Sequence, residues 1–219
     1  MRHAQLILWD LDGTLLRAGG VSRDAFMEAV GGSIEHPAEN VSFAGRTDPW
    51  IARALLEQAG RSADEAPDVL ARYAAALAAR RDQVAREGRV LPGVHETLAV
   101  VAQAQVRQGV VTGNLAATAR VKVTALGLAE HLDPDASAYG DDGPTRDDLV
   151  PIALARAGGI PPEATWVVGD TPYDLQCARA AGARCLLVAT GGDDLDALHD
   201  LGADAVLPDL TDAVDVLLA

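Results

Sequence analysis

Short apolar segments alternate with amphipathic segments along most of this 219-residue sequence. The apolar segments predict strands over residues 6–9, 110–112, 166–169, 185–189 and 205–207. Between and after them, apolar residues recur at steps of three and four, which predicts helices over residues 116–126, 146–157, 173–181, 194–201 and 212–218. Alternating buried strands and helices are typical of a parallel sheet covered on both faces. We therefore expect a doubly wound, Rossmann-like α/β core that binds its ligand at the carboxyl ends of the strands.

The alternation is interrupted between the first and second predicted strands. From about residue 17 to residue 89 the sequence shows only helical patterns, over residues 23–30, 48–59 and 68–86. The last of these is rich in Ala and Arg, which are strong helix formers. The length of the chain allows one large domain carrying an insert. We predict an α/β core formed by residues 1–16 and 90–219, with an α-helical cap domain over residues 17–89 inserted into it.

The composition limits the kinds of partner and compartment. With 18 Lys and Arg against 32 Asp and Glu, the formal net charge is −14, so we expect neither nucleic acid nor a membrane as partner. No apolar run approaches the ~18–20 residues of a membrane span, and no cleavage site of a signal peptide follows residues 6–9. Cys177 and Cys185 lie in apolar segments and predict buried free thiols, and hence a cytoplasmic protein. The histidines show no metal-ligand spacing.

A pair of carboxylates follows the first predicted strand. Asp10 comes directly after it, Asp12 follows two residues later, and Gly13 permits a turn that brings both acids into one pocket. Two neighbouring carboxylates do not both hold full charge easily in a dry site, so one stays ionised, for example by a metal, while the other can hold a proton. This division suits a nucleophile beside a general acid–base. The alternative is a simple turn after a strand.

Two later strand ends carry polar residues that would face the same crevice. Thr112, Gly113 and Asn114 offer a hydroxyl and backbone N–H groups at the start of a helix, which favours an anion site, although the same residues occur in ordinary turns. Asp170 ends another strand, and Asp174 follows four residues later. Carboxylates from two strand ends suit Mg²⁺. Asp174 can alternatively stabilise a helix N-terminus.

A phosphate site beside a carboxylate nucleophile needs a fixed cation. Arg146 opens a predicted helix on the strand-end side and is the better placed candidate, with a surface arginine as the alternative. Lys122, the single lysine, falls two turns into its helix. We interpret it as a surface charge but keep it as the second candidate.

Taken together, these residues resemble the motifs of the haloacid dehalogenase (HAD) superfamily, and within it the phosphoglycolate-phosphatase-like members with a helical cap. The motifs match in order: Asp-Leu-Asp-Gly-Thr at residues 10–14, the hydroxyl of Thr112, a cation, and Gly-Asp-x-x-x-Asp at residues 169–174. The third motif departs from the commonest family pattern, Lys followed by Pro. Arg146 keeps the charge and can bind phosphate through two nitrogens.

The resemblance implies a mechanism and a set of ligands. Asp10 would form an aspartyl-phosphate that water hydrolyses, and Asp12 would act as general acid and base. Mg²⁺ would be bound by the Asp10 side chain, the Asp12 backbone carbonyl and Asp170, with Asp174 and Thr171 supporting the site.

The resemblance also assigns the groups that hold the substrate. The phosphoryl oxygens would be bound by Thr112, Gly113, Asn114 and Arg146. In the cap, the Gly-Arg-Thr-Asp loop would place Arg46 and Thr47 towards the far end of the substrate. The alternative is a plain helix N-cap, for which Asp48 is suited, with Arg46 as a surface arginine.

The function implied is that of a Mg²⁺-dependent phosphatase acting on a small phosphate monoester, such as phosphoglycolate, a sugar phosphate or a nucleotide. A phosphomutase shares the core and the chemistry, and a non-catalytic phosphate-binding protein is a further alternative. A dehalogenase is disfavoured because that branch needs no metal. The sequence is compatible with a monomer or a homodimer.

Overall fold

The computed structural model describes residues 3–31 and 41–219. Its strands are β1 Leu6–Trp9, β2 Leu16–Arg17, β3 Arg89–Val90, β4 Arg107–Val110, β5 Thr165–Gly169, β6 Arg184–Val188 and β7 Ala205–Leu207. Five of them form a parallel sheet in the order β4-β1-β5-β6-β7. In the register of this sheet Trp9 pairs with both Val110 and Val168. The residues that follow β1, β4 and β5 therefore reach the same edge of the sheet.

Helices flank this sheet, and four of the described helices lie between β2 and β3 in the chain. They are α1 Val21–Val30, α2 Asp48–Gln58, α3 Ala66–Ala79, α4 Arg81–Glu87, α5 Val94–Gln103, α6 Ala116–Ala125, α7 Leu149–Arg156, α8 Pro172–Ala181, α9 Leu195–His199 and α10 Ala213–Leu217.

Side chains of β1 alternate between two hydrophobic clusters, one on each face of the sheet. Ile7 and Trp9 pack in the cluster that contains residues of α5, α6 and α10. Leu6 and Leu8 pack in the cluster that contains residues of α7, α8 and α9. Burial of both faces is the property that makes the strands of a parallel sheet almost continuously apolar. The structure confirms the predicted doubly wound α/β fold.

The helices α1 to α4 form a cap with a hydrophobic cluster of its own. Phe26 of α1 and Tyr73 of α3 lie at its centre, with their ring centroids 4.4 Å apart. Leu115, at the start of α6, also packs in this cluster. The cap therefore shares apolar contacts with the core next to the edge where the strands end.

Several element boundaries differ from those expected from the sequence. The helix predicted over residues 68–86 is two helices, α3 and α4, separated at Arg80. The strand predicted at residues 110–112 begins earlier and ends at Val110. The interval from residue 17 to residue 89 was expected to lack strands, but β2 and β3 pair antiparallel at its two ends. Two residues per strand are too few for a hydrophobic period to show in the sequence.

Two further expectations can be compared with the structure. Cys177 and Cys185 are buried and free, as predicted. Within residues 3–31 and 41–219, no helix combines the length and the apolar character needed to cross a membrane.

Candidate active site

Three buried carboxylates meet where β1 and β5 end. Asp10 follows β1, Asp170 follows β5, and Asp174 lies in the first turn of α8. One oxygen from each lies within 4.8 Å of the others. Gly13 has a φ of +97°, and a Cβ there would lie 2.4 Å from Asp170 Oδ2, so the turn after β1 packs directly on this cluster.

The environment of this acidic cluster favours a bound cation. Burial raises the pKa of Asp10, an effect that the charge of Arg146 opposes. Burial also raises the pKa of Asp170, and the charges of Asp10 and Asp174 add to the effect. Crowded carboxylate oxygens in a buried pocket are hard ligands of the kind that Mg²⁺ prefers. The residues present therefore fit such an ion.

Arg146 lies inside the site, as predicted, and not on the surface. It stands on a 3₁₀ turn, Arg146–Asp148, directly before α7. Its guanidinium donates a hydrogen bond to Asp174 and lies 3.2 Å from Asp10 Oδ1. Although burial alone would lower its pKa, the charges of Asp174 and Asp10 raise the pKa of Arg146 above its usual value. Its positive charge is therefore permanent.

The interpretation of Lys122 as a surface charge is wrong. Its side chain is 2% exposed, and its Nζ donates to Asp12 Oδ2 at 2.5 Å and to Asn114 Oδ1 at 2.6 Å. Lys122 lies one helical turn after Thr118, which is also buried. This side of α6 therefore faces the cavity at the strand ends. Two cations, Lys122 and Arg146, thus lie beside the motif that begins at Asp10.

The predicted anion-binding loop lies next to these groups. Thr112, Gly113 and Asn114 line the same cavity as Asp10 and Asp12. The hydroxyl of Thr112 is buried and accepts a hydrogen bond from the backbone N–H of Asn114. The side chain of Asp12 differs from its neighbours, because 40% of it is exposed.

Thr171 supports the acidic cluster through α8. Its backbone N–H and its hydroxyl both donate to Asp174 Oδ2, at 3.0 Å and 2.7 Å. This capping box fixes the carboxylate of Asp174 at the start of the helix. Thr171 thus holds Asp174, one of the three carboxylates of the acidic cluster, at the start of α8.

The cap closes the other side of the cavity, whose volume is about 260 Å³. The guanidinium carbon of Arg46 lies between two rings, 4.4 Å from the centroid of Trp50 and 4.3 Å from that of Tyr173. Its Nε is buried, with no hydrogen-bond partner among the described residues. Thr47 caps α2 by accepting a hydrogen bond from the backbone of Trp50, and it does not line the cavity.

The cap also contributes cavity residues that were not predicted from the sequence. Ser22, Arg23, Tyr73 and Asp48 all line the cavity. The helical spacing of α1 and α3 marks their buried faces, but it does not indicate which residues at the edges of those faces meet the core.

Comparison with known proteins identifies the family. A family model described as haloacid dehalogenase-like hydrolase matches residues 7–179, and a second HAD-hydrolase-like model matches residues 147–213. This chain belongs to the haloacid dehalogenase-like hydrolase family. The match includes the acidic cluster, the loop at residues 112–114 and the two buried cations Lys122 and Arg146.

Relatives in the HAD family cover nearly the whole chain. A plasmid-encoded phosphoglycolate phosphatase of Cupriavidus necator is 33% identical, over 97% of this chain and 92% of its own length. The phosphoglycolate phosphatase of Rhodospirillum rubrum is 29% identical, over 96% of this chain and 90% of its own length. The chain is therefore phosphoglycolate-phosphatase-like and a hydrolase acting on phosphate monoesters, as the sequence motifs imply.

Solved structures agree on the HAD fold. A hydrolase from Pseudomonas syringae aligns with a TM-score of 0.71 at 25% identity, covering 99% of this chain and 98% of that one. CbbY from Rhodobacter sphaeroides, crystallised in complex with phosphate, aligns with a TM-score of 0.69 at 22% identity, covering 95% of both chains. Because its sequence identity is low, the similarity to CbbY supports the fold only.

Proposed function

We propose that this protein is a Mg²⁺-dependent phosphatase that hydrolyses a small phosphate monoester through an aspartyl-phosphate on Asp10. The observation that carries the proposal is the position of the Asp10 carboxylate. It lies 3.2 Å from the guanidinium of Arg146, within the acidic cluster, and in the same cavity as Thr112 and Asp12. A nucleophile, a fixed cation and an acid–base candidate thus face one small volume.

In the first step a carboxylate oxygen of Asp10 attacks phosphorus, and the bond from phosphorus to the ester oxygen breaks. Asp12 enters this step as the carboxylic acid, gives its proton to the departing alkoxide, and is left as the carboxylate that Lys122 binds. The hydroxyl of Thr112, the N–H groups of Gly113 and Asn114, and Arg146 hold the phosphoryl oxygens. Phosphoryl transfer depends mainly on such positioning and charge neutralisation.

In the second step water attacks the phosphorus of the aspartyl-phosphate. Asp12 takes a proton from this water, the bond between phosphorus and Asp10 breaks, and inorganic phosphate leaves with the carboxylate restored. Lys122 holds the carboxylate of Asp12 by an ion pair in which the lysine is buried and the aspartate is partly exposed. Asp12 can therefore meet both the leaving group and the water.

Mg²⁺ would be bound by the side chains of Asp10 and Asp170 and the backbone carbonyl of Asp12, with Thr171 and Asp174 fixing the cluster from α8. When bound, the ion supplies positive charge that lets a dianionic phosphate approach these carboxylates.

The cap supports the choice of a small substrate with an anionic far end. Residues 17–89 would act as a cap domain that closes over the substrate and excludes water. Arg46 has two aromatic contacts but no anionic partner among the described residues, and Arg23 lines the same cavity. A carboxylate such as that of phosphoglycolate would pair with these guanidinium groups. The names of the relatives point to the same ester.

The remaining partners and the compartment follow from composition. We propose no nucleic-acid or membrane partner, because the net charge of −14 opposes both. The two free buried thiols, Cys177 and Cys185, suit the reducing cytoplasm.

The proposal is tested by measuring phosphate release from an aryl phosphate, with Mg²⁺ or with a chelator. The wild-type protein is compared with Asp10→Asn and with Asp215→Asn, a matched change at an exposed position of α10. We expect Mg²⁺-dependent turnover that Asp215→Asn retains and Asp10→Asn loses. Turnover that survives Asp10→Asn would exclude Asp10 as nucleophile. Folded wild-type protein without turnover would favour a phosphomutase or a phosphate-binding protein.

A further inference from the structure

Core helix α6 begins without a capping side chain of its own. Leu115 occupies the N-cap position and offers no hydrogen-bonding side chain. The first N–H groups of a helix need an acceptor when they are buried. Here two carboxylates supply acceptors. Asp141 of the core accepts from the backbone N–H of Ala116 at 2.9 Å. From the cap, Asp48 Oδ2 accepts from the backbone N–H of Leu115 at 2.8 Å and from the hydroxyl of Thr118 at 3.3 Å, a hydroxyl that also lies 3.0 Å from the carbonyl oxygen of Leu115.

The backbone of Asp48 also binds the core. Its N–H donates to the carbonyl oxygen of Gly113 at 2.7 Å, in the middle of the anion-binding loop. Gly113 packs so closely on the cap that a Cβ there would lie 2.1 Å from the carbonyl oxygen of Arg46. Asp48 is itself buried. The first residue of cap helix α2 is thus bonded both to the anion-binding loop and to the helix that follows it.

Helix α6 is connected to the groups that are proposed to bind phosphate. The loop at residues 112–114 leads into it, and Lys122, two turns further on, reaches Asp12 and Asn114. A rotation or fraying of the first turn of α6 would therefore move the loop at residues 112–114 and Lys122 together. Displacements of about 1 Å in a site that works by positioning can cost on the order of 100-fold in rate.

We propose that Asp48 is a positioning residue, which holds the start of α6 and the anion-binding loop in their phosphate-binding arrangement only when the cap is seated. The proposal rests on the proposed phosphate-binding role of residues 112–114. It couples cap closure to assembly of the site, so that the phosphoryl oxygens are held firmly only after the cavity is covered. Asp48 is not a member of the acidic cluster. Although it lines the cavity, it acts through its hydrogen bonds to the backbone of Leu115 and Gly113.

The test compares Asp48→Ala with Asp48→Asn. The asparagine keeps a side-chain oxygen that can accept from Leu115, whereas the alanine removes it. The measurements are kcat and KM for an aryl phosphate, and inhibition by orthovanadate, which occupies the position of the transferring phosphoryl group. For Asp48→Ala we expect kcat/KM and vanadate affinity to fall by about 10- to 100-fold, the range for lost hydrogen bonds to a charged group. Asp48→Asn should restore both to within about threefold of wild type.

The matched control is Asp194→Ala. Asp194 caps α9 by accepting from the backbone N–H of Ala197, and it is exposed and does not line the cavity. This control also removes an aspartate that accepts a backbone hydrogen bond at a helix start, but at a place away from the cavity, and it should lower thermal stability without changing vanadate affinity. If Asp48→Ala does not fold, Thr118→Val removes one of the two donors and should lower vanadate affinity by about fivefold.

Three results would overturn the proposal. The first is an unchanged vanadate affinity in folded Asp48→Ala. The second is a loss of vanadate affinity in Asp48→Asn as large as that in Asp48→Ala. The third is a loss of vanadate affinity in Asp194→Ala as large as that in Asp48→Ala. With Asp48→Ala unfolded, an unchanged vanadate affinity in Thr118→Val would also overturn it. Failure of the proposed function is recognised separately, because it would already show as an inactive wild type or an active Asp10→Asn.

Discussion

The Nζ of Lys122 lies 2.5 Å from Asp12 Oδ2 and 2.6 Å from Asn114 Oδ1, so one buried ammonium group joins the first motif to the loop at residues 112–114. Both oxygens belong to residues that line the cavity. Arg146 makes the corresponding contact with Asp10 and Asp174. Lys122 thus contacts Asp12, and Arg146 contacts Asp10, the two aspartates of the first motif.

Lys122→Met should therefore lower kcat/KM for an aryl phosphate by about 10- to 100-fold, because Asp12 and Asn114 lose a charged hydrogen-bond donor. Methionine fills a similar volume and limits the loss of packing. Arg120→Met, at an exposed position on the same helix, serves as the control and should keep wild-type kinetics. Equal kcat/KM values in the two variants would contradict this role for Lys122.

Mg²⁺ should raise the unfolding temperature of the protein. The pKa of Asp170 is raised by burial and by the charges of Asp10 and Asp174, and a bound cation relieves this repulsion. At a concentration 100 times its Kd, the ion should add about 3 kcal/mol to the free energy of unfolding, or several degrees in Tm. Thermal melts with MgCl₂ and with EDTA measure the effect. Asp170→Asn should reduce it and the exposed Asp215→Asn should not; a Tm insensitive to Mg²⁺ would count against the site.

Arg46→Ala should change substrate preference. The ratio of kcat/KM for phosphoglycolate to kcat/KM for an aryl phosphate should fall by about 10- to 100-fold, since only the first ester has a carboxylate to pair with this guanidinium. Arg53→Ala, an exposed arginine on α2, the helix that follows Arg46, should leave the ratio unchanged. If the ratio does not move in Arg46→Ala, the far end of the substrate is recognised elsewhere.

The stability of the protein should depend on pH through Asp48. Burial raises the pKa of this carboxyl to about 6, against the opposing charge of Lys122. Because the pKa in the unfolded chain is about 3.9, the native state binds more protons between about pH 4 and pH 6. The contribution of Asp48 to the free energy of unfolding should therefore fall by up to about 3 kcal/mol as the pH rises through this interval, and stay constant above it.

The free energy of unfolding is measured by urea denaturation in EDTA at several pH values, for the wild type and for Asp48→Asn. The difference between the two proteins, followed against pH, gives the contribution of Asp48. Asparagine does not titrate, and the other acidic groups are common to both proteins. A difference that is independent of pH would mean that Asp48 titrates alike in the folded and unfolded states.

The central sheet and much of the site could be predicted from the sequence because both depend on local signals. Asp10 and Asp170 each come directly after an apolar segment, and parallel strands bring such positions to one edge. Lys122 could not be placed in this way, since its helix spacing fits either an exposed or a crevice-facing side chain. The bond from Asp48 to Leu115 joins residues 67 positions apart in the chain, and no local pattern reports a contact of that kind.

The pairing of β2 with β3 bears on how proteins of this design diverge. The chain leaves the core at Leu16–Arg17 and returns at Arg89–Val90, and these two strands are hydrogen-bonded to each other. The two ends of the inserted segment are therefore held side by side whatever lies between them. We expect that an insert of another length or shape could be exchanged at this junction without disturbing the parallel sheet, so that substrate contacts in the cap could change while the residues at the strand ends stay in place.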